Sequence, residues 1–214
     1  MPFSENNMMK ALIFSGGTFC GLPESFSSAE FDLIIAADKG YLYAKQFNIV
    51  PHVFVGDLDS LPENETISAE ETLILPPVKD MTDTQEALDI AISRGADEIT
   101  IVAALGGRID HALANLHLLK YGLDRGAKVS LADKDSFVTL IDSPESFPRR
   151  DGFCLSLLPM TRCEHVFLSG VYYPLQDAVM DLGMPYGVSN EFTEDYAHIN
   201  PGTGELFVMI CKAV

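Results

Sequence analysis

The sequence predicts an N-terminal doubly wound, parallel-sheet α/β domain followed by a C-terminal all-β sandwich domain. Three observations predict it. Short apolar runs alternate with segments of helical period over the first two thirds of the chain. After about residue 133 the helical segments stop, and strand-like runs separated by turn clusters take over. A length of 214 residues, 47% of them apolar, is enough for two cores. The boundary is placed near Lys134, dividing the chain into 1–133 and 134–214.

In the first domain the runs at 11–14, 33–37, 52–55, 72–75, 98–103 and 128–131 are rich in Ile, Val and Leu without strict alternation, as expected of parallel strands covered on both faces. Helices lie between them. A short one spans 41–47 and ends before Pro51. A second spans 82–94, with an apolar stripe of Ala87, Leu88, Ala91 and Ile92 and with Gly95 as its C-terminal glycine. A third spans 109–122, with the stripe Ile109, Leu113, Leu116 and Leu119 and with Gly122 ending it. In the second domain, 136–141, 153–158, 165–169, 179–182 and 206–212 read as strands, punctuated by Ser143-Pro144, Arg150-Asp151-Gly152 and Asn200-Pro201-Gly202.

Lys plus Arg number 14 against 31 Asp plus Glu, a formal charge of −17 that repels nucleic-acid backbones and anionic membranes. Neither is expected as a partner. No apolar run approaches the ~18 residues of a membrane span, and the first ten residues have no basic, apolar leader pattern. Cys20, Cys154, Cys163 and Cys211 are scattered without metal spacing, so they read as reduced, mostly buried thiols of a cytoplasmic protein.

In an open parallel sheet the ligand crevice lies beyond the carboxyl ends of the strands, so the residues that follow each run carry the functional information. Asp38 follows 33–37. Asp57 and Asp59 follow 52–55. Asp80 and Asp83 follow 72–75 and open the next helix, and Gly106-Gly107-Arg108 and Asp110 follow 98–103. Any one acid alone is explained by a turn or a helix cap; six converging on one edge point to a divalent metal, best Mg²⁺, with oxygen ligands and phosphate. Asp57 and Asp59 form the best pair, since an extended D-x-D directs both side chains to one face, although an Asx-turn at Asp59-Ser60 competes with this. Thr82 and Gln85 fit a capping box, and a helix start also binds phosphate. Gly106-Gly107-Arg108, and less clearly Ser15-Gly16-Gly17, suit close backbone approach to an anion. His111 reads as structural or as a phosphate contact. P-loop, dinucleotide, protein-kinase, serine-hydrolase and zinc-protease motifs are absent, which leaves metal-assisted phosphate chemistry.

Ala36-Ala37-Asp38-Lys39-Gly40, Gly56-Asp57-Leu58-Asp59-Ser60, Lys79-Asp80-Met81-Thr82-Asp83, Leu105-Gly106-Gly107-Arg108-Ile109-Asp110-His111 and Val188-Ser189-Asn190-Glu191-Phe192 resemble, in order, the motifs of the thiamine pyrophosphokinase family. The resemblance covers nearly the whole chain. It implies a nucleotide-binding α/β domain, a β-sandwich that binds thiamine and dimerises, a homodimer, and Mg²⁺-dependent transfer of pyrophosphate from ATP to the thiamine hydroxyl with release of AMP. By the same resemblance, Asp57, Asp59 and Asp83 are metal and ATP ligands. Asp38, Lys39, Gly106, Gly107, Arg108 and Asp110 lie beside the nucleotide, and Asp80 and Thr82 beside the transferred group. Ser189 and Asn190 contact thiamine from the partner subunit. Many members carry a Trp against thiamine; this chain has none, and Tyr173 is its counterpart. Two other functions fit parts of the pattern: a haloacid-dehalogenase-like phosphohydrolase with Asp57 as nucleophile, and a non-catalytic nucleotide or thiamine sensor.

Overall fold

The computed structural model describes residues 8–23, 26–76 and 80–213; Lys79 of the third motif lies outside them. Two compact units divide the chain, Met1–Lys134 and Asp135–Val214.

The first unit contains β1 (Lys10–Phe14), β2 (Leu33–Ala37), α1 (Gly40–Gln46), β3 (Val53–Gly56), β4 (Glu71–Ile74), α2 (Asp83–Ser93), β5 (Glu98–Val102), α3 (Ile109–Leu123) and β6 (Lys128–Ala132). Its strands lie in the order β6-β5-β1-β2-β3-β4, all parallel. The strand order reverses at β1, between β5 and β2. Side chains alternate across the sheet, so Leu12, Phe14 and Ile34 pack with Tyr43 and Ala44 of α1 on one face. On the other, α2 packs on β1, β2 and β3, and α3 on β6 and α2. This is the doubly wound arrangement that the uninterrupted apolar runs foretell. Edge strand β4 departs from them: it is largely exposed.

The α2 cap forms as expected, with the Gln85 amide donating to Thr82 Oγ1 at 3.2 Å. At its other end Gly95 has φ +88°, and the Gly95 and Ala96 amides donate to the carbonyls of Ile92 and Ala91, closing a Schellman turn. The third helix corrects the sequence reading. Ile109 is 85% and Leu113 54% exposed, and the buried face is Asn115, Leu118, Leu119 and Gly122. Gly122 is not a terminator: it lies inside α3, where a Cβ would come within 2.2 Å of Val129 Cγ2.

The second unit is entirely β: β7 (Ser136–Ile141), β8 (Glu145–Pro148), β9 (Phe153–Pro159), β10 (Cys163–Ser169), β11 (Leu175–Met180), β12 (Asn190–Glu191), β13 (Tyr196–Asn200) and β14 (Leu206–Lys212). Antiparallel sheets β12-β9-β14-β7 and β11-β10-β13-β8 face each other across a core that includes Leu155, Leu157, Val208, Val166, Leu168 and Ile199. Strands β8 and β13 were not foreseen, and the run at 179–182 belongs to a strand ending at Met180. No disulfide is present; of the four cysteines only Cys163 is buried, which corrects the expectation that most would be. Among the described residues, no helix is long and apolar enough to cross a membrane.

Candidate functional site

The carboxyl ends of β1, β2 and β5 and the starts of α2 and α3 surround a cleft of about 480 Å³. It opens where the strand order reverses, the place at which an open α/β sheet offers a crevice. Two close backbone approaches shape it. The Gly17 amide donates to the Ala103 carbonyl at 2.9 Å, and a Cβ on Gly17 would meet that oxygen at 2.4 Å. Gly56 lies against Asp38, whose Cα an added Cβ would reach at 3.0 Å.

These contacts bring two strand-end loops together. Asp38 takes φ +50° immediately after β2, while its amide donates to the Val55 carbonyl. Beyond β3, Leu58 takes φ +72° and the Asp59 amide donates to Asp57 Oδ1 at 3.1 Å. Asp57 and Asp59 thus converge through an Asx-type turn that starts at Asp57, not through the extended alternation expected of a D-x-D; the turn expected at Asp59-Ser60 is also present, closed by the Leu61 amide donating to the Leu58 carbonyl at 3.2 Å. Asp38, Asp57 and Asp59 each offer one carboxylate oxygen within 4.8 Å of the other two.

Such crowding is costly without a cation. Burial raises the Asp38 carboxyl pKa above its ordinary value, with Asp83 and Asp57 adding to the rise and a hydrogen bond from Ser60 opposing it. Asp38 Oδ1 is buried without a hydrogen-bond partner. Asp59 is also raised, first through a hydrogen bond shared with Asp57 and then through the charge of Asp57. An unsatisfied buried oxygen within an all-oxygen donor set fits a hard divalent ion.

Across the cleft, Gly106 and Gly107 take φ +90° and +79°, as a backbone cradle requires. Arg108 grips Asp110 through two hydrogen bonds, Nε to Oδ1 at 3.1 Å and Nη2 to Oδ2 at 2.6 Å, and holds that carboxyl down to about 2. In this state the guanidinium is committed to Asp110. Lys39 also lines the cleft, its Nζ 5.7 Å above the Tyr43 ring.

Of the sequence candidates, Asp38, Lys39, Thr82, Asp83, Gly106, Gly107, Arg108 and Asp110 line the cleft. Asp57 and Asp59 join it through the acid cluster. Asp80 is exposed and belongs to neither, so the six expected acids do not all converge. Tyr173, Ser189 and Asn190 lie in the second unit. Asn190, only 7% exposed, accepts from the Tyr173 and Glu191 amides and donates to the Tyr173 carbonyl at 2.8 Å. Its amide therefore pins the loop that displays Tyr173. Ser189 takes φ +61°, and its amide donates to Ser156 Oγ.

Sequence reasoning missed Thr84 and Asn115, both buried and both in the cleft wall. Thr84 Oγ1 lies 2.7 Å from Ser15 Oγ, and Asn115 donates to the Ala104 carbonyl. The available signal was a polar residue within each helix's otherwise apolar face.

A family model described as the thiamin pyrophosphokinase catalytic domain matches residues 27–131, and one described as the thiamin pyrophosphokinase vitamin B1 binding domain matches 144–204. Thiamine pyrophosphokinase of Bacillus subtilis (strain 168) is 32% identical over 169 residues, covering 76% of this chain and 79% of that one. A crystal structure of thiamine pyrophosphokinase from Bacillus subtilis matches with a TM-score of 0.86 at 27% identity, covering 96% of this chain and all of that one. A thiamin pyrophosphokinase family protein from Enterococcus faecalis matches with a TM-score of 0.85 at 30% identity, covering 96% of this chain and 100% of its own. With both units matched and a relative at this identity over three quarters of its length, the chain belongs to the thiamine pyrophosphokinase family.

Proposed function

We propose that the cleft at the reversal point of the sheet carries out the reaction of this family, ATP-dependent transfer of pyrophosphate to thiamine, with the acid cluster as its Mg²⁺ site. Asp38 Oδ1, buried and unpartnered among Asp57 and Asp59, is the observation that carries the metal assignment. These three carboxylates would hold the ion, and Asp83, whose charge reaches both Asp38 and Asp59, completes the acidic side. Bound there, Mg²⁺ would neutralise the triphosphate and polarise the phosphorus that is attacked. Gly106 and Gly107 offer backbone to the phosphates, and Arg108 exchanges its grip on Asp110 for phosphate oxygens.

The thiamine hydroxyl oxygen forms a bond to the β-phosphorus as the bond from that phosphorus to the α-bridging oxygen breaks. AMP leaves, and the hydroxyl proton is lost. Of Asp80 and Asp83, the two acids at the start of α2 that could accept that proton, only Asp83 lines the cleft. The chain's contribution is in-line positioning and charge stabilisation. Thiamine is held by Tyr173, Ser189 and Asn190, with the tyrosine face against the cationic thiazolium. In a homodimer these come from the partner subunit. The run of exposed apolar side chains from Tyr172 to Val188, among them Leu182, Met184 and Tyr186, supports such an interface.

Family membership favours this reaction over the phosphohydrolase and sensor alternatives. Phosphorus NMR of the protein with ATP, Mg²⁺ and thiamine should show AMP and thiamine diphosphate. Formation of ADP, or the absence of thiamine diphosphate, would overturn the assignment. Light scattering should give twice the mass of one chain, and a monomeric mass at full activity would refute the shared site.

A further inference from the structure

Four cysteines occupy three different settings. Cys20 is exposed. Cys163 is buried, its Sγ donating to the Thr161 carbonyl at 3.2 Å, and burial pushes its thiol pKa up. Cys154 on β9 and Cys211 on β14 are different again: they are directly paired across two antiparallel strands.

Residues directly opposite in an antiparallel pair point to the same face of the sheet. Leu155, Leu157, Val208 and Ile210 occupy the sandwich core, so Cys154, one residue before Leu155, and Cys211, one residue after Ile210, share the opposite face, where both are partly exposed. The type of pair follows from neighbouring bonds. The Ala213 amide donates to Gly152, directly across from it, and the Lys212 amide turns the other way, to Asp135. Two residues further along, Cys211 and Cys154 therefore form a hydrogen-bonded pair, whose Cα atoms are typically about 5.5 Å apart. Disulfides span Cα separations of roughly 4.4–6.8 Å, so the pair lies within bridging reach.

We propose that Cys154 and Cys211 are a dithiol site that takes up a reversible cross-strand disulfide by exchange with a low-molecular-weight disulfide. One cysteine, as thiolate, attacks a sulfur of the small disulfide; that S–S bond breaks, a small thiol leaves, and a mixed disulfide forms. The second thiolate attacks the protein-bound sulfur of the mixed disulfide and expels the other small thiol. The protein loses two electrons and two protons, and the small disulfide gains them. Opposite Cβ atoms in a sheet are about 4.5–5.5 Å apart, whereas a disulfide holds them at roughly 3.5–4.5 Å, so closure pinches the strands and the bond remains easy to reduce. Cys20 has no such neighbour and stops at the mixed disulfide.

The test is treatment of the full chain with cystamine, an acid quench, and mass spectrometry of the intact protein and of unreduced peptides. The expected product has one cysteamine adduct on Cys20, a Cys154–Cys211 crosslinked peptide, and a mass lower by two hydrogens for that pair; dithiothreitol restores the starting mass. In Cys154→Ser, and equally in Cys211→Ser, the remaining cysteine of the pair should retain cysteamine. Separate cysteamine adducts on Cys154 and Cys211 in the wild-type chain would overturn the proposal. So would an unmodified pair beside a fully modified Cys20. The wild-type map decides even where a serine variant fails to fold.

Discussion

Both units are acidic, yet only in one of them are acids gathered against one another. Residues 1–134 carry 20 Asp and Glu against 10 Lys and Arg, and residues 135–214 carry 11 against 4. In the β unit, acids have close cationic partners: Arg162 contacts both Glu164 and Asp181, Arg149 contacts Asp151, and His165 contacts Asp177. The α/β unit also has such pairs, Lys45 with Glu65 and Arg108 with Asp110 among them, but there Asp38, Asp57 and Asp59 face one another as well. Net charge does not separate the two units; arrangement does. Surface pairs are worth little, whereas like charges gathered at a strand edge must be compensated by something outside the chain.

The sharpest way to break this contrast is to remove one acid from the cluster. Asp57→Asn should cut turnover on the order of a hundred- to a thousandfold, the scale of losing one electrostatic contact to the transition state. The same change relieves repulsion, so thermal melting without metal should give a Tm equal to or above that of the parent. Added Mg²⁺ should raise the parent's Tm and leave the variant's nearly unchanged. A variant that melts well below the parent would make Asp57 a structural acid.

Gly56→Ala tests the packing that creates the cluster. The new Cβ would crowd Asp38, costing about 1–3 kcal/mol of stability in chemical denaturation, as overpacking does. Displacing Asp38 should slow turnover roughly ten- to a hundredfold, because small misplacements are costly at a reacting centre.

In the β unit, Asn190→Ala removes a buried amide that holds Tyr173 from both sides, at a cost of about 1–3 kcal/mol. Steady-state kinetics should show a raised KM for thiamine with KM for ATP unchanged. A change confined to kcat would remove Asn190 from thiamine binding.

The smallest effect belongs to His165. Its hydrogen bond with Asp177 raises its pKa above the ordinary 6.5. The charged imidazole is thus favoured in the folded state, so the contribution is complete below about pH 6.5 and fades as pH rises through the folded value. Proton NMR of the ring should give a midpoint above 6.5 that returns towards it in Asp177→Asn, with activity unaffected.

How much of this was legible in the sequence depended on how local each cause is. Thr82, Gln85 and Gly95 act within one helical turn of their targets, and both caps were visible. The pairing of Asp57 with Asp59 was visible, but its mechanism was misread, because nothing in the string Gly56-Asp57-Leu58-Asp59 announces a left-handed Leu58. On α3, periodicity favoured Ile109 and Leu113 over Asn115. Their exposure depends on where the first turns of the helix stand relative to the cleft, which no spacing rule encodes. Strands β8 and β13 pair with each other from 48 residues or more away, as between Pro148 and Tyr196, and a short strand carries little signal of a distant partner. Asp80 was grouped with the other acids by its position after a strand, while its side chain joins neither cleft nor cluster.

The Ser15 and Thr84 hydroxyls, 69 residues apart in sequence, meet beneath the cleft. Between them lie β2, α1, β3, β4 and the start of α2, so the contact closes a long stretch of chain. The cleft is therefore a high-contact-order feature that completes after the sheet is threaded rather than growing outward from a local nucleus. A nascent chain still lacking α2 presents no floor for a nucleotide, and one lacking the start of α3 presents no opposite wall.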